Sequence, residues 1–244
     1  MPQIHDDVWI DYDTGGQITE KLKVIKKWIP QDVHNIIDIG CGNGIICNAL
    51  AKDYDVTGID ISETALKAVT CRKIQCSATE IPVPDQSFDL VFSSEMLEHL
   101  SSEDLQKAAS EMKRISRRHI LISVPNQEQL AATMVKCASC KRTYHAYGHL
   151  HCFTPDVLAS YFPEYKVKRA LRFGPMNRDY NPFLLWIKNT LGGQYYHPVT
   201  PVLCPSCNGS SYIQKSNLIS KTCNLLNQIL SKPKPYWLML LLEK

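Results

Sequence analysis

The sequence predicts an α/β fold in which a parallel sheet is covered by helices on both faces. Two observations predict it. Short runs of β-branched and other apolar residues alternate along the chain with segments of helical apolar spacing, and the first run, 36–39, passes through three glycines into a helical segment. Strands connected by helices pair in parallel, so their sheet is buried on both faces. With 244 residues, 44% of them hydrophobic and 21% charged, the chain can bury one substantial core.

Each element of the first half has a recognisable boundary. The first helix is predicted at 18–28, because Ile18, Leu22 and Ile25 recur at helical spacing and Pro30 ends it. Ser62 and Ser101 are predicted helix caps. The predicted strands are 36–39, 54–59, 73–77, 88–94 and 119–124, and the predicted helices between them are 45–51, 63–70 and 101–115.

The second half continues the same alternation, with interruptions. Thr154 and Pro155 begin a helix, 165–171 is a sixth strand, and 235–242 is the last strand. Two further stretches, about 127–148 and about 174–234, do not fit the alternation. We therefore predict a single domain, 1–244, that carries these two insertions.

The turn after the first strand is typical of a nucleotide-binding site. Gly40, Gly42 and Gly44 allow positive φ and close approach of a ligand, and the following helix offers unpaired N–H groups. Asp60 ends the second strand, about twenty residues later, where an acid can accept hydrogen bonds from ribose hydroxyls. The alternatives are a glycine turn needed for geometry alone and a solvated acid at a strand end.

Four motifs, in this order, resemble the class I S-adenosylmethionine (SAM)-dependent methyltransferases, in particular the small-molecule group that includes the ubiquinone and menaquinone biosynthesis enzymes. They are Asp38-Ile39-Gly40-Cys41-Gly42-Asn43-Gly44, Gly58-Ile59-Asp60-Ile61-Ser62, the block 78–89, and Ser94-Glu95-Met96-Leu97-Glu98-His99-Leu100. The resemblance covers about residues 34–125 and extends more loosely to the end. It implies a Rossmann-like, doubly wound seven-stranded sheet with the last strand antiparallel.

The resemblance also implies a SAM site. The three glycines lie beside the methionine moiety, Asp60 holds the ribose and Ile61 packs on adenine, and the entry segment brings Tyr12 to the cofactor. At the adenine, this chain has Ser77 and Ala78 where the family usually has an acid and a small residue. The implied cofactor residues are Tyr12, Asp38, Gly40, Gly42, Asn43, Gly44, Asp60, Ile61, Ser77, Ala78, Ser94 and Glu95.

Each insertion contains one Cys-x-x-Cys pair, Cys137/Cys140 and Cys204/Cys207. Two such pairs suit a tetrahedral zinc site, which would be structural because four thiolates leave no position for water. Redox chemistry and chance are the alternatives. The long separation of the pairs argues against a locally folded zinc ribbon. Because both insertions leave the carboxyl edge of the family's sheet, we predict that zinc ties them into one cap over the substrate site.

Histidines follow the first insertion. His149 is the candidate base or acceptor-positioning group and His151 the second, because imidazole titrates near neutral pH. Packing or capping of the next helix is the alternative. The aromatic residues Phe183, Trp186, Tyr195 and Tyr196 could form the wall of an acceptor site or the small core of the second insertion.

Composition narrows the functional class. The formal charge of +3 comes from scattered basic residues that form no stripe, so composition gives no argument for a nucleic-acid partner, and only a local basic patch would bind one. The start of the chain has no basic leader before an apolar run, and we found no membrane span, so we predict a cytoplasmic protein in which the ten cysteines are metal ligands or buried thiols.

We therefore predict a methyltransferase that acts on a small molecule, with the acceptor atom left open between oxygen, nitrogen and carbon. One alternative is an RNA or protein methyltransferase that uses the zinc module for recognition, with a basic face formed by Lys136, Lys141, Arg142, Lys166, Lys168, Arg169 and Arg172. Two others are a non-catalytic scaffold and a nicotinamide-dependent enzyme. The intact glycines and Asp60 argue against the scaffold, and the motifs after Ile81 argue against the nicotinamide enzyme.

Overall fold

The computed structural model describes residues 16–198 and 201–244. The strands are β1 (Asn35–Ile39), β2 (Asp55–Asp60), β3 (Arg72–Gln75), β4 (Phe88–Ser94), β5 (Ser116–Pro125), β6 (Met134–Lys136), β7 (Thr143–His145), β8 (Lys166–Arg178) and β9 (Pro233–Glu243). The helices are α1 (Gln17–Trp28), α2 (Ile45–Leu50), α3 (Glu63–Leu66), α4 (Ser102–Ile115), α5 (Pro155–Ala159), α6 (Pro182–Thr190) and α7 (Leu218–Leu230).

The chain divides into two compact units. The sheet unit contains the described residues up to Asn126, together with Phe153–Pro175 and Tyr236–Lys244. The insertion unit contains Gln127–Cys152 and Met176–Pro235. The first segment ends four residues after the predicted insertion of 127–148. The second starts two residues later and ends one residue later than the predicted 174–234.

A seven-stranded sheet has the order β3-β2-β1-β4-β5-β9-β8. The neighbours among β1 to β5 pair in parallel, and β9 runs antiparallel to β5. The predicted doubly wound sheet with an antiparallel last strand is therefore confirmed. Central strands such as β1 are buried from Ile36 to Ile39, as expected for strands covered on both faces.

Two elements differ most from the prediction: β8 continues to Arg178 beyond the predicted end at residue 171, and α3 ends at Leu66 although the sequence predicts a helix to residue 70. Beyond it, Lys67 and Val69 donate to carbonyls three residues earlier, which tightens the turn and ends the α-helix. The side chain of Asn48 then binds the backbone of Ala68 and Thr70, holding this segment against α2. The predicted caps Ser62 and Ser101 each accept a backbone N–H, at 3.1 Å.

The insertion unit is built from a short hairpin and a pair of helices. Strands β6 and β7 pair antiparallel, with the first Cys-x-x-Cys at the turn between them. Helices α6 and α7 pack on each other. Pro182 starts α6, and Asn217 starts α7 through a capping box with Ser220. Across the described ranges, 16–198 and 201–244, no helix has the length and apolar character needed to cross a bilayer.

Candidate functional site: a cofactor edge and a cysteine cluster

The glycine turn has the backbone that only glycine adopts without strain. Gly40, Gly42 and Gly44 have φ values of 75°, 54° and 81°. A Cβ added to Gly40 would lie 2.5 Å from Cγ of Met96, and one on Gly44 would lie 2.9 Å from Val69. Asn43 closes the turn, since its Oδ1 accepts from the Ile45 N–H at 3.4 Å. The three glycines thus keep the main chain open to a ligand at the end of β1.

Asp60 ends β2 with its carboxylate fixed by the backbone. The Gly42 N–H donates to Oδ2 at 2.8 Å, and the Ser62 N–H donates to Oδ1 at 2.9 Å. Each carboxylate oxygen keeps a second lone pair that can accept from a hydroxyl. The structure therefore brings the glycine turn and the acidic residue together, as their spacing predicts.

Beside Asp60 lies an exposed apolar side chain. Ile61 is 63% exposed, although it directly follows a buried strand. An aliphatic side chain in this position offers a surface for an aromatic base. The Ser77 hydroxyl hydrogen-bonds within its own segment, since it lies 2.7 Å from the Thr79 hydroxyl. Ala78 packs against the core. Tyr12 lies outside the described residues.

Asp38 and Glu95 lie near a buried lysine that sequence reasoning missed. Lys21 of α1 is 3% exposed, and its Nζ lies 3.0 Å from Glu95 Oε1 and 4.6 Å from the centre of a Trp237 ring. Burial, and the nearby Cys47 and Asp60, raise the pKa of Asp38 well above its usual range, while Lys21 opposes the shift. Helical periodicity cannot single out Lys21, because an amphipathic helix usually carries lysine on its solvated face.

Two hydroxyls at the carboxyl ends of β4 and β5 are buried. Ser94 and Ser123 are register partners, and within the described ranges neither buried Oγ has a hydrogen-bond partner. Buried polar atoms normally have partners, so this pair fits a site that a polar ligand completes. Glu95 follows with a φ of 55°, a strained value for a non-glycine residue.

The four predicted cysteine ligands form one cluster in the insertion unit. Cys137 Sγ lies 3.6 Å from Cys207 Sγ, and Cys140 Sγ lies 3.6 Å from Cys204 Sγ. All four sulfurs lie within 4.8 Å of one another. A zinc ion bound by four thiolates at about 2.3 Å has sulfurs about 3.8 Å apart. The spacing of the four sulfurs therefore fits a tetrahedral metal site.

The two Cys-x-x-Cys turns have the same local structure. Backbone N–H groups of Cys140 and Ser139 point at Cys137 and lower its thiol pKa to about 6. The equivalent groups of Ser206 and Cys207 outweigh burial at Cys204 and lower its thiol pKa. The residue after each second cysteine has positive φ: Lys141 at 64° and Asn208 at 55°. The backbone N–H groups thus favour the thiolate of the first cysteine in each turn, and the thiolate is the form that binds metal.

The two cysteine pairs are brought together from distant parts of the chain. Tyr212 bridges to Cys137, and the Ala138 N–H donates to the Ser211 carbonyl at 2.8 Å. The Arg142 guanidinium donates to the Ser206 hydroxyl at 2.6 Å. The cluster is therefore not a locally folded ribbon, since its two halves are separated by 64 positions between Cys140 and Cys204.

Glu128 is a second residue that the sequence did not indicate, and it organises the histidines. It accepts from His149 Nδ1, and its other oxygen lies 3.3 Å from His145 Nε2. The three side chains are 9%, 6% and 7% exposed. Burial alone would raise the pKa of Glu128, but hydrogen bonds from His145 and His149 lower it to about 2. His151 is half-buried nearby in the chain.

Comparison with known proteins supports the same family. Residues 37–122 match the family model of a methyltransferase domain. An uncharacterized protein of Methanocaldococcus jannaschii is 32% identical over 111 residues, which are 44% of this chain and 48% of that protein. A ubiquinone biosynthesis O-methyltransferase of Coxiella burnetii is 34% identical over 90 residues, which are 33% and 38% of the two chains. The chain thus matches less than half the length of these relatives.

A solved structure shares the fold over most of both chains. The SAM-dependent methyltransferase of Archaeoglobus fulgidus superposes with a TM-score of 0.57 at 17% identity, covering 93% of each chain. The sheet order, the glycine turn and the sequence match over residues 37–122 together support a class I SAM-dependent methyltransferase domain, and the resemblance is confirmed over that stretch. The family match lies within the sheet unit, and the insertion unit lies outside it.

Proposed function

We propose that this protein transfers a methyl group from SAM to a small-molecule acceptor. The observation that carries the proposal is Asp60, whose carboxylate is fixed by Gly42 and Ser62 beside the exposed Ile61. This arrangement fits a ribose and an adenine side by side. The orphaned Ser94 hydroxyl and the open glycine turn suit the polar remainder of the cofactor.

The chemistry divides between cofactor and protein. SAM supplies an activated methyl group on a sulfonium, so the protein has to position the acceptor in line, exclude water and remove a proton where the acceptor is an oxygen or carbon. In the proposal Asp60 holds the ribose, Ile61 packs on adenine, and Gly40, Gly42 and Gly44 admit the methionine moiety. Glu95, Asp38 and Asn43 complete the surroundings of that moiety.

For proton removal we propose His149, with His151 as the second candidate. Glu128 accepts from His149 Nδ1 and fixes the ring, so that Nε2 is the atom that exchanges a proton. The carboxylate also stabilises the charged imidazolium that forms after proton transfer. Glu128 is therefore a positioning residue in this proposal.

A small acceptor is supported by the kind of relatives found. The Coxiella burnetii relative is named for O-methylation in ubiquinone biosynthesis. Within this chain, the cations of the alternative basic face are divided between β8 and the cysteine hairpin and do not form one stripe in the sequence. We therefore favour a small acceptor over RNA.

We also propose that the four clustered cysteines hold a structural zinc ion. The sulfur spacing and the two matching turns support it. With four thiolate ligands, zinc would keep its coordination closed and would stabilise the hairpin without taking part in methyl transfer.

The experiment is an acceptor screen with methyl-labelled SAM, beginning with phenols, quinone precursors and sugars. We expect label in one acceptor class with the unaltered protein, a large loss with Asp60→Asn, and a loss with His149→Gln when the acceptor is an oxygen that has to release a proton. Label that enters RNA or protein instead would replace the small-molecule proposal. Absence of transfer together with absence of SAM binding would contradict the activity itself.

A further inference from the structure

Helix α7 has its apolar residues on the outside. The side chains that it buries are Ser220, Cys223 and Asn227, each at most 4% exposed. Leu218, Ile229 and Leu230 are 80%, 74% and 63% exposed. The usual amphipathic helix of a globular protein has the opposite arrangement. Burial of this helix within its own unit therefore leaves a strongly apolar face toward the outside.

The inward polar face has a definite structural role. Asn227 Oδ1 accepts from the Asn181 N–H at 2.8 Å, and Asn227 Nδ2 donates to the Asp179 carbonyl at 3.1 Å. These bonds satisfy the backbone where α6 begins. The orientation of α7 is thus fixed by specific hydrogen bonds, and the outward apolar face is a consequence of the fold.

Helix α6, which packs on α7, also exposes aromatic residues. Phe183 and Trp186 are 67% and 56% exposed, and their rings lie 6.3 Å apart in a stacked arrangement. They therefore do not form the small core of the insertion, which was one of the two roles that the sequence indicated for them. We use the name hairpin face for the exposed apolar residues of the helical hairpin α6–α7, which is distinct from the β6–β7 hairpin. Its six residues are Phe183, Trp186, Leu218, Leu225, Ile229 and Leu230.

In the stretch of the chain that contains α6 and α7, every charged side chain is positive. Residues 180–242 contain no aspartate or glutamate and five lysines. Of these lysines, Lys215, Lys221 and Lys232 are exposed and lie in or beside α7. An exposed face of leucine, isoleucine, phenylalanine and tryptophan accompanied only by lysine is the composition of helices that lie in the interface of anionic membranes.

We propose that the hairpin face docks on an anionic lipid surface, with α6 and α7 lying in the plane of the interface. Each apolar side chain then leaves water, and the lysines meet lipid phosphates. Tryptophan is favoured at this depth because its ring is amphipathic. Two copies of the face would instead bring lysines against lysines, so a second copy of this chain is a poorer occupant. The inference is independent of the proposed methyl transfer.

The test is flotation of the 244-residue chain with vesicles of phosphatidylcholine alone or mixed with phosphatidylglycerol. We expect strong binding to the mixed vesicles and weak binding to the neutral ones, with binding to the mixed vesicles falling as salt rises. The double variant Leu225→Ser/Ile229→Ser should weaken vesicle binding at least about tenfold, because two apolar side chains no longer enter the lipid. Lys221→Gln should weaken it about fivefold, the effect of one lysine near an anionic surface.

Matched controls separate this face from general stickiness. Val167→Ser removes an apolar side chain that is 46% exposed on β8, and Lys67→Gln removes an exposed lysine after α3; both should bind vesicles like the unaltered protein. Circular dichroism verifies that every variant is folded. Equal binding of the folded double variant and the unaltered protein would overturn the proposal. Failure to bind the mixed vesicles would also overturn the proposal, and it would do so even if sedimentation showed that the protein self-associates through this face.

Discussion

Asp60 is held by two backbone N–H groups that approach different oxygens of its carboxylate. An asparagine has only one oxygen, so its amide nitrogen would face either the Gly42 or the Ser62 N–H. Asp60→Asn should therefore weaken binding of S-adenosylhomocysteine by about 10- to 100-fold, as expected for loss of charged hydrogen bonds to the ribose. Titration calorimetry measures this. Asp55→Asn, at the exposed start of the same strand, should bind normally; equal affinities of the two variants would remove Asp60 from the site.

Glu128 predicts a pH dependence of stability. Because its pKa is lowered to about 2, the ionised carboxylate stabilises the folded protein above the unfolded pKa of about 4.3, and this stabilisation is lost as pH falls from there toward 2. Its size is about 2–3 kcal/mol in the free energy of unfolding. The unaltered protein should exceed Glu128→Gln by this amount near neutral pH, and the difference should shrink below about pH 4.

Urea unfolding across this pH range measures the difference, and subtraction of the two proteins cancels the pH dependence of the cysteine cluster. Glu80→Gln, on an exposed glutamate, is the control and should match the unaltered protein. A constant difference between Glu128→Gln and the unaltered protein at every pH would show that the carboxylate charge contributes nothing.

The sequence reveals the roles of some of these residues and not of others. Gly40, Gly42, Gly44 and Asp60 can be recognised because turn geometry and ribose binding both demand a fixed spacing in one βα unit. The roles of Lys21 and Glu128 cannot be recognised in this way. The partner of Lys21, Glu95, is distant in sequence, and the contact of Glu128 with His149 becomes evident only in the folded chain.

At the scale of elements, the paired cysteine turns make the zinc proposal testable. Cys204→Ser removes one of four ligands, so zinc content measured by mass spectrometry should fall from near one ion per chain to well below it. Hydrogen exchange should then speed up in β6 and β7. Cys223→Ser, a buried cysteine of α7 outside the cluster, should retain the metal. Zinc content unaffected by Cys204→Ser would refute the site.

Elements with strong local signals were predicted well. Strand β4 has the bounds that the sequence indicates, because Phe88 to Ser94 is a continuous β-rich run between a turn and a loop. The predicted end of α3 was wrong, since the chain tightens into i→i−3 hydrogen bonds after Leu66 and Asn48, on another element, holds the backbone of Ala68 and Thr70. The outward apolar face of α7 is not deducible from periodicity, which gives the two faces of a helix but not which face is buried.

At the scale of the molecule, the family match and the distinctive features occupy different parts of the chain. Residues 37–122 match the methyltransferase domain, whereas the cysteine cluster, the Glu128–His149 pair and the hairpin face belong to the insertion unit. The sheet could be predicted from sequence because parallel strands and glycine turns carry general signals. The insertion unit could not, because its structure depends on pairings between residues far apart in the chain, such as Cys137 with Cys207, which are 70 positions apart.

Calorimetric titration with S-adenosylhomocysteine, beside a titration with NADH, tests whether the sheet unit binds SAM. We expect saturable binding of S-adenosylhomocysteine at one site per chain and no binding of NADH. Binding of NADH, or of neither ligand to protein shown to be folded, would contradict this expectation.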